Sequence, residues 1–322
     1  MAQTDNPVKY QLLLVVSRAL RALGTPLVAY LMVQAATISS VMVPVTFCNV
    51  LFVGNLCASL VVLSRFGVTP IAADLRKVSG KLLFGLIVNG CLAALLSALI
   101  FSALRFTTVT NTVLLGRLGP VIYAIAGAVF FQNKIHKPEW AGFGLIVAGV
   151  LVMSLQSSMF QLSIGDLLII ASSFVYAASA TISKKMLSGQ CSLRLVVFSR
   201  NFVSAFAFAG IAIYLFGPMH FQDVLTGSLW IIMAVYALFV IVLSQFAWFA
   251  SLRKLDSTTV AKWTVLSPVF GIVYAFLING ERPTVTQVIA FAIIMLGVSI
   301  GNLGKLYVKG MSDSMENSLA AS

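Results

Sequence analysis

The chain has 322 residues, of which 60% are hydrophobic and only 9% charged, and its formal net charge is +12. Soluble domains carry about 25% charged residues, so a soluble fold is excluded. In a soluble protein such a positive balance would point to nucleic acid. Here it reads as the Lys and Arg bias of cytoplasmic membrane loops, and no nucleic-acid partner is expected.

The opening "MAQTDNPVKYQLLLVVSRALRAL" has a short apolar core interrupted by arginines, with no clean cleavage site after it. Residues 1–18 therefore read as a cytoplasmic N-terminal segment and not as a signal peptide. A helix needs about 20 largely apolar residues to cross a bilayer. That ruler gives ten spans in chain order. They are Ala19–Ser39, Pro44–Ser64, Leu82–Leu104, Thr108–Phe131, Trp140–Gln156, Gly165–Ser183, Leu195–Phe216, Leu229–Leu252, Thr258–Asn279 and Thr286–Leu306. Residues 307–322 form a polar tail expected to be cytoplasmic and disordered.

With the N-terminus inside, sixteen Lys and Arg fall on one side, Arg18 and Arg21 among them, and only Arg105 and Arg282 on the other. This positive-inside bias places both termini in the cytoplasm. The four cysteines show no paired motif, and the two histidines, His136 and His220, lie in polar connectors. No metal site, cofactor or catalytic constellation is expected.

The halves repeat. Pro120 and Pro268 align at an offset of 148 residues, as do Leu104 with Leu252, Arg105 with Arg253, Thr110 with Thr258 and Gly149 with Gly297. Five spans per half is an odd number, so the second half enters the membrane inverted. The expected fold is an all-α integral membrane protein of ten transmembrane helices, built as two inverted five-helix repeats at 19–156 and 165–306.

"GDLLIIASSFVYAASATISKKML" (Gly165 to Leu187) is similar to the opening of an EamA-type repeat. "AKWTVLSPVFGIVYAFLINGERPTVTQVIAFAIIMLGVSIGNL" (Ala261 to Leu303) is similar to its close, through Pro268, the Glu281-Arg282 pair and Gly297. The chain resembles the ten-helix EamA-type members of the drug/metabolite transporter superfamily. In the first half Asn133 stands where the acidic residue is expected. The resemblance implies a metabolite carrier of the inner (plasma) membrane, whose fourth and ninth helices line a central cavity.

Three basic residues sit inside spans: Arg117, Arg200 and Lys262. The nine acids all fall in tails, connectors or helix ends. Arg117 is about nine residues into its span, hence about 14 Å deep, near the middle of a core about 30 Å thick. The offset sets Lys262 opposite Leu114, one turn from Arg117 on the same face. Arginine offers a fixed fork to carboxylate or phosphate, and lysine a point charge. The expected binding set is Arg117, Lys262 and Arg200, with Asn111, Asn201 and Asn49 as polar contacts and Tyr123, Trp263 and Tyr274 as ring contacts. Gly119, Pro120 and Pro268 are the expected helix breaks.

Other roles compete for these groups. Lys262 and Arg200 reach an interface by snorkelling, Arg117 caps carbonyls freed near Gly119-Pro120, the asparagines bond helix backbone, and the rings pack. The expected function is alternating-access transport of a small anionic or zwitterionic metabolite, by facilitated diffusion or exchange, in a monomer or homodimer among membrane lipids. An exporter of neutral or amphipathic amino acids with a structural Arg117 is the alternative. A non-transporting membrane sensor or assembly subunit is the alternative of another class.

Overall fold

The computed structural model describes residues 7–30, 47–133, 135–154, 163–188, 191–217, 227–264 and 267–301. The expected tail at 307–322 and the end of the first expected span, 31–39, lie outside these residues. Thirteen helices are followed here: α1 (Val8–Tyr30), α2 (Phe47–Phe66), α3 (Val68–Arg76), α4 (Gly80–Ala103), α5 (Val109–Leu115), α6 (Leu118–Phe131) and α7 (Lys137–Ser154). After them come α8 (Ile164–Ser188), α9 (Leu193–Phe216), α10 (Leu229–Lys254), α11 (Ser257–Thr264), α12 (Ser267–Asn279) and α13 (Val285–Gly301). Seven helical stretches among the described residues are long and apolar enough to cross a membrane: α1, α2, α4, α5 with α6, α8, α9 and α10.

The first helix departs from the sequence reading. Its helical residues begin at Pro7, well before Ala19, so residues read as a cytoplasmic segment are helical. The hydropathy ruler slid past Arg18 and Arg21 because it treats charge as a flank. In the bundle, Ser17, Arg18, Arg21 and Thr25 share one face, while Val8, Leu12 and Val16 are exposed on the other.

Side chains are sorted as lipid requires. Large apolar residues such as Phe130, Tyr214, Ile231 and Leu277 point outward, whereas Ser17, Asn89, Ser179 and Asn201 are buried. The strongest packing joins the two halves of the chain. α2 lies on α9, α4 on α8 and α9, α1 on α10, α11 and α12, and α6 on α8 and α11. Where α7 meets α13 the backbones touch: a Cβ on Gly297 would stand 2.6 Å from the Gly142 carbonyl oxygen. Gly149 meets Ala290 and Ile294 in the same interface.

Helix starts are capped locally. Ser163 and Asp166 exchange bonds at α8, and Thr284 and Gln287 at α13, the reciprocal arrangement of a capping box. Glu139 takes the His136 amide at 2.7 Å before α7. Under the 148-residue offset, His136 and Glu139 correspond to Thr284 and Gln287. Carboxylates are stabilised at helix N-termini, and among the described residues Glu139, Asp166, Asp256 and Glu281 are all held at such ends. Asp74 instead pairs with Arg194 at 2.6 Å.

A candidate substrate cavity among four arginines

Two helices are interrupted at matching places. α5 gives way to α6 at Gly116-Arg117, where Arg117 N–H bonds Leu114 O and Gly119 N–H bonds Gly116 O. These tighter i→i−3 bonds replace the α-ladder. Pro120 sits in the first turn of α6, where its missing N–H costs nothing. In the second half α11 ends at Thr264 and α12 begins at Ser267, followed by Pro268. Thr264 is the offset counterpart of Gly116.

Arg117 joins the two interruptions. Its Nε donates to Val113 O at 2.9 Å and its Nη1 to Thr264 O at 3.1 Å. Ser267 Oγ donates to the same Thr264 carbonyl at 2.6 Å. A helix C-terminus leaves carbonyls without intrahelical donors, and a cation there is favoured by the helix dipole. Three N–H groups of Arg117 have no acceptor among the described residues, and the side chain lines a central cavity of about 230 Å³.

Among the described residues, that cavity is lined by Arg18, Arg21, Arg117 and Arg200 and by no carboxylate. Arg200 reaches it from α9, its Nη1 donating to Ser179 Oγ at 2.6 Å and Asn89 Oδ1 at 3.0 Å. Asn89 Oδ1 also accepts from Ser179 and Ser183. Arg18 lies 4.1 Å from the Trp248 ring centre, a cation–π contact, and its Nη2 donates to Ser17 Oγ at 3.0 Å. Tyr176 on α8 is close enough to interact electrostatically with Arg18, Arg117 and Arg200. Its ring stands 6.2 Å from Trp248.

A π-helical stretch in α10, Ala237–Leu243, precedes Ser244, Gln245 and Trp248 in the wall. Such wide turns re-aim the residues that follow them and cluster at functional sites. Leu96, Ile100, Phe101 and Phe249 contribute apolar surface to the wall.

The expected residues divide. Arg117, Arg200 and Pro120 line the cavity, and Gly119 lets α6 approach the Tyr176 ring, 2.9 Å from where a Cβ would be. Lys262 belongs to α11, and its side chain lies outside what the structure describes. Six expected contacts are placed outside this wall. Asn111 accepts from Gln287 Nε2 at 2.7 Å, because its face of α5 turns to α13. Asn201 exchanges amide bonds with Gln245 at 2.8 and 3.1 Å and so supports a wall residue from behind. Asn49 is buried away from the cavity, and its neighbour Asn55 takes the wall position. Tyr123 is fully buried in the core, Trp263 packs against that core, and Tyr274 is half-buried outside the wall. Pro268 starts α12 beside the wall residue Ser267.

Sequence reasoning missed Arg18, Arg21, Tyr176, Gln245, Trp248 and Asn89. The spacing of Arg18, Arg21 and Thr25, one helical face, was the available signal for the first two.

A family model described as the EamA-like transporter family matches residues 10–155 and again 163–303. An uncharacterized transporter of Synechocystis sp. is 31% identical over 274 residues, covering 82% of this chain and 78% of that one. A probable amino-acid metabolite efflux pump of Salmonella typhimurium is 28% identical, over 64% of this chain and 72% of its own. A solved crystal structure shares the fold with a TM-score of 0.58, over 88% of this chain and 96% of that one, at 18% identity.

Proposed function

Because the chain belongs to the EamA-like transporter family, and so is a multi-pass membrane transporter, we propose that it carries a small anionic metabolite by alternating access. One observation carries the reading: among the described residues, four arginines and no carboxylate line the central cavity. Arg18, Arg117 and Arg200 are partly buried and Arg21 is exposed; like charges gathered around a part-buried chamber repel, and a transported anion supplies the missing partner. Arginine forks suit carboxylate and phosphate oxygens.

In this reading ten helices form two inverted five-helix halves that rock about the cavity. Support comes from contacts that recur under the 148-residue offset. Gly142 meets Gly297 as Ala290 meets Gly149, and α5 packs on α12 as α6 packs on α11. Arg117 bonds both interrupted helices, so a substrate oxygen that draws on its guanidinium loads the joint between the halves. Lys262, one turn from Arg117 by the offset, stays in the proposed set with Arg200. Movement is facilitated diffusion or exchange. Both termini face the cytoplasm in this reading: with Arg18 and Arg21 reassigned to the cavity, fourteen Lys and Arg remain on that side against Arg105 and Arg282.

A second reading has its own observation. Arg117 already satisfies two helix carbonyls, and relatives are named as amino-acid metabolite efflux pumps. There the cargo is a zwitterionic or neutral amino-acid metabolite and Arg117 is a structural tie. Thermal stability of the detergent-purified protein against organic anions, amino acids and neutral amphiphiles separates the two, followed by flux in liposomes. Stabilisation by anions that weakens about ten-fold or more in Arg117→Gln supports the first. Stabilisation by neutral or zwitterionic compounds alone, unchanged in Arg117→Gln, sinks it.

A further inference from the structure

The four arginines of the cavity are not equivalent. Arg117 is held by two carbonyls, Val113 O and Thr264 O. Arg200 is held by Asn89 Oδ1 and Ser179 Oγ, themselves part of a hydrogen-bonded cluster. Both guanidinium groups thus have protein oxygens that offset their charge.

The two arginines of α1 differ. Among the described residues, Arg18 donates to the hydroxyl of Ser17 alone and rests on the Trp248 ring. Its Nε is buried with no acceptor among the described residues. Arg21 also lines the cavity, from a solvent-exposed position, and no hydrogen bond of its side chain occurs among the described residues. The two stand at i and i+3, neighbours on one helix face where like charges repel. Each is also within electrostatic reach of a further arginine, Arg18 of Arg117 and Arg21 of Arg200.

A singly charged ligand would neutralise one of the pair and leave the other facing it across a partly apolar chamber. A doubly charged one answers both. The chamber's volume of about 230 Å³ equals the share of about eight waters, which suits a small metabolite and not a dinucleotide. Leu96, Ile100, Phe101 and Phe249 offer apolar wall to its carbon skeleton.

We propose that Arg18 and Arg21 form the charge-discriminating site of this cavity, selecting a small dianion, a phosphate monoester or a dicarboxylate, over singly charged anions. The proposal rests on the anionic-carrier reading above and adds which arginines choose the substrate. Arg117 then serves chiefly to couple the halves.

The test uses purified full-length protein and four probes at pH 7.5: glycerol 3-phosphate, succinate, monomethyl succinate and lactate. Affinities are read by calorimetry in wild type, Arg18→Gln, Arg21→Gln and Arg21→Lys, with unliganded melting as the folding control. The expected result is that at least one dianion binds about ten-fold or more tightly than the singly charged probes. That preference falls to less than about three-fold in each Gln variant and largely survives in Arg21→Lys, which keeps the charge. If a Gln variant does not fold, Arg18→Met or Arg21→Met at the same position, which also removes the charge, stands in and is expected to lose the preference too. The glycerol 3-phosphate and succinate arms tell phosphate from dicarboxylate. Equal binding of dianions and monoanions in wild type, or an unchanged preference in both α1 variants, overturns this proposal while leaving an anion carrier. Binding of none of the four, with neutral compounds binding, removes the anionic reading itself.

Discussion

Glu281 accepts the amide of Val109, 172 positions earlier in the chain, at 3.0 Å. The same carboxylate takes the Thr110 amide at 3.0 Å and its hydroxyl at 2.8 Å. One acidic residue after α12 therefore caps the start of α5, where the helix dipole favours negative charge. Under the 148-residue offset the corresponding helix start is that of α11. There the neutral Asn133 stands at Glu281's place, and the carboxylate is Asp256 in the N-cap position, accepting Thr259 N–H and Oγ–H at 2.7 Å each. Thr108, the counterpart of Asp256, caps α5 with a neutral hydroxyl, accepting the Asn111 amide. Each of these two helix starts holds one carboxylate, supplied by a distant residue in one half and by the local cap in the other.

Glu281→Gln is expected to lower stability by about 1–2 kcal/mol, through loss of charge at a helix start and of charge-assisted bonds. Adding Thr108→Asp should recover a substantial part, because it rebuilds at α5 the arrangement seen at α11. Asn133→Glu should destabilise, since it sets a second carboxylate at a helix start that Asp256 already serves. Thermal unfolding in detergent reads all three. Failure of Thr108→Asp to help Glu281→Gln would show that reach between the halves, not charge, is what matters there.

The ends of α6 and α12 offer a second comparison. Gln132 has φ +55° and Gly280, its offset counterpart, φ +68°. Both leave a helix through the left-handed region, with Asn133 N–H returning to Gly127 O and Glu281 N–H to Ala275 O. Glycine tolerates that conformation and other residues pay strain for it. Gln132→Gly should raise stability by about 0.5–1 kcal/mol, and Gly280→Ala should lower it by about as much. Opposite signs in the melting temperature are the criterion.

Gly297→Leu should be far more damaging. Its first side-chain atom would meet the Gly142 carbonyl at 2.6 Å and the Leu145 side chain at 2.9 Å, which forces α7 and α13 apart. A loss of about 3 kcal/mol or more is expected, as for severe overpacking. Gly144→Leu is the control, because nothing lies within 4 Å of a Cβ there. Equal damage by both would mean that the helix contact contributes little.

Much of the fold was legible because lipid imposes a simple rule on long apolar helices, and because Pro120 and Pro268 mark interruptions by removing a donor. That Arg117 falls inside a long apolar helical stretch was legible from its span. What was not legible was facing. Arg18 and Arg21 sat where charge ordinarily flanks a membrane, and only their helical neighbours show that they turn inward. Asn111 lies on α5 and Arg117 at the break that follows it, and the turn at Gly116 separates their faces, so Asn111 meets Gln287 of α13 and not the cavity wall. Tyr176 and Trp248 had nothing to set them apart from packing aromatics until the arginines beside them were placed.

At the surface, the Arg194 guanidinium bonds both oxygens of Asp74, at 2.6 and 2.9 Å, and Ser192 donates to the same carboxylate. The Arg194 bonds are the main cause that holds the Asp74 carboxyl down from its ordinary 3.8 to about 2. A carboxyl depressed on folding stabilises the folded state above its unfolded value and loses that contribution as pH falls through the folded one. Wild type should therefore melt slightly above Asp74→Asn at pH 7, by on the order of 1–2 °C for a partly exposed pair. The gap should close between pH 4 and pH 2. A gap that stays constant over that range would remove the ion pair as its source.

The interleaving of the two halves bears on how the protein is made. A ribosome delivers α1 to α7 to the membrane before α8 exists. α4 and α6 must then wait for α8, α2 for α9, and α1 for α10, α11 and α12. Until those arrive, Arg18, Arg117 and Asn89 have neither Trp248, Thr264 nor Ser179 beside them. A nascent chain in that condition depends on the insertion machinery or on membrane-embedded chaperones to shelter polar helix faces from lipid. Truncation near residue 160 would therefore yield a substrate for quality-control proteases and not a smaller carrier.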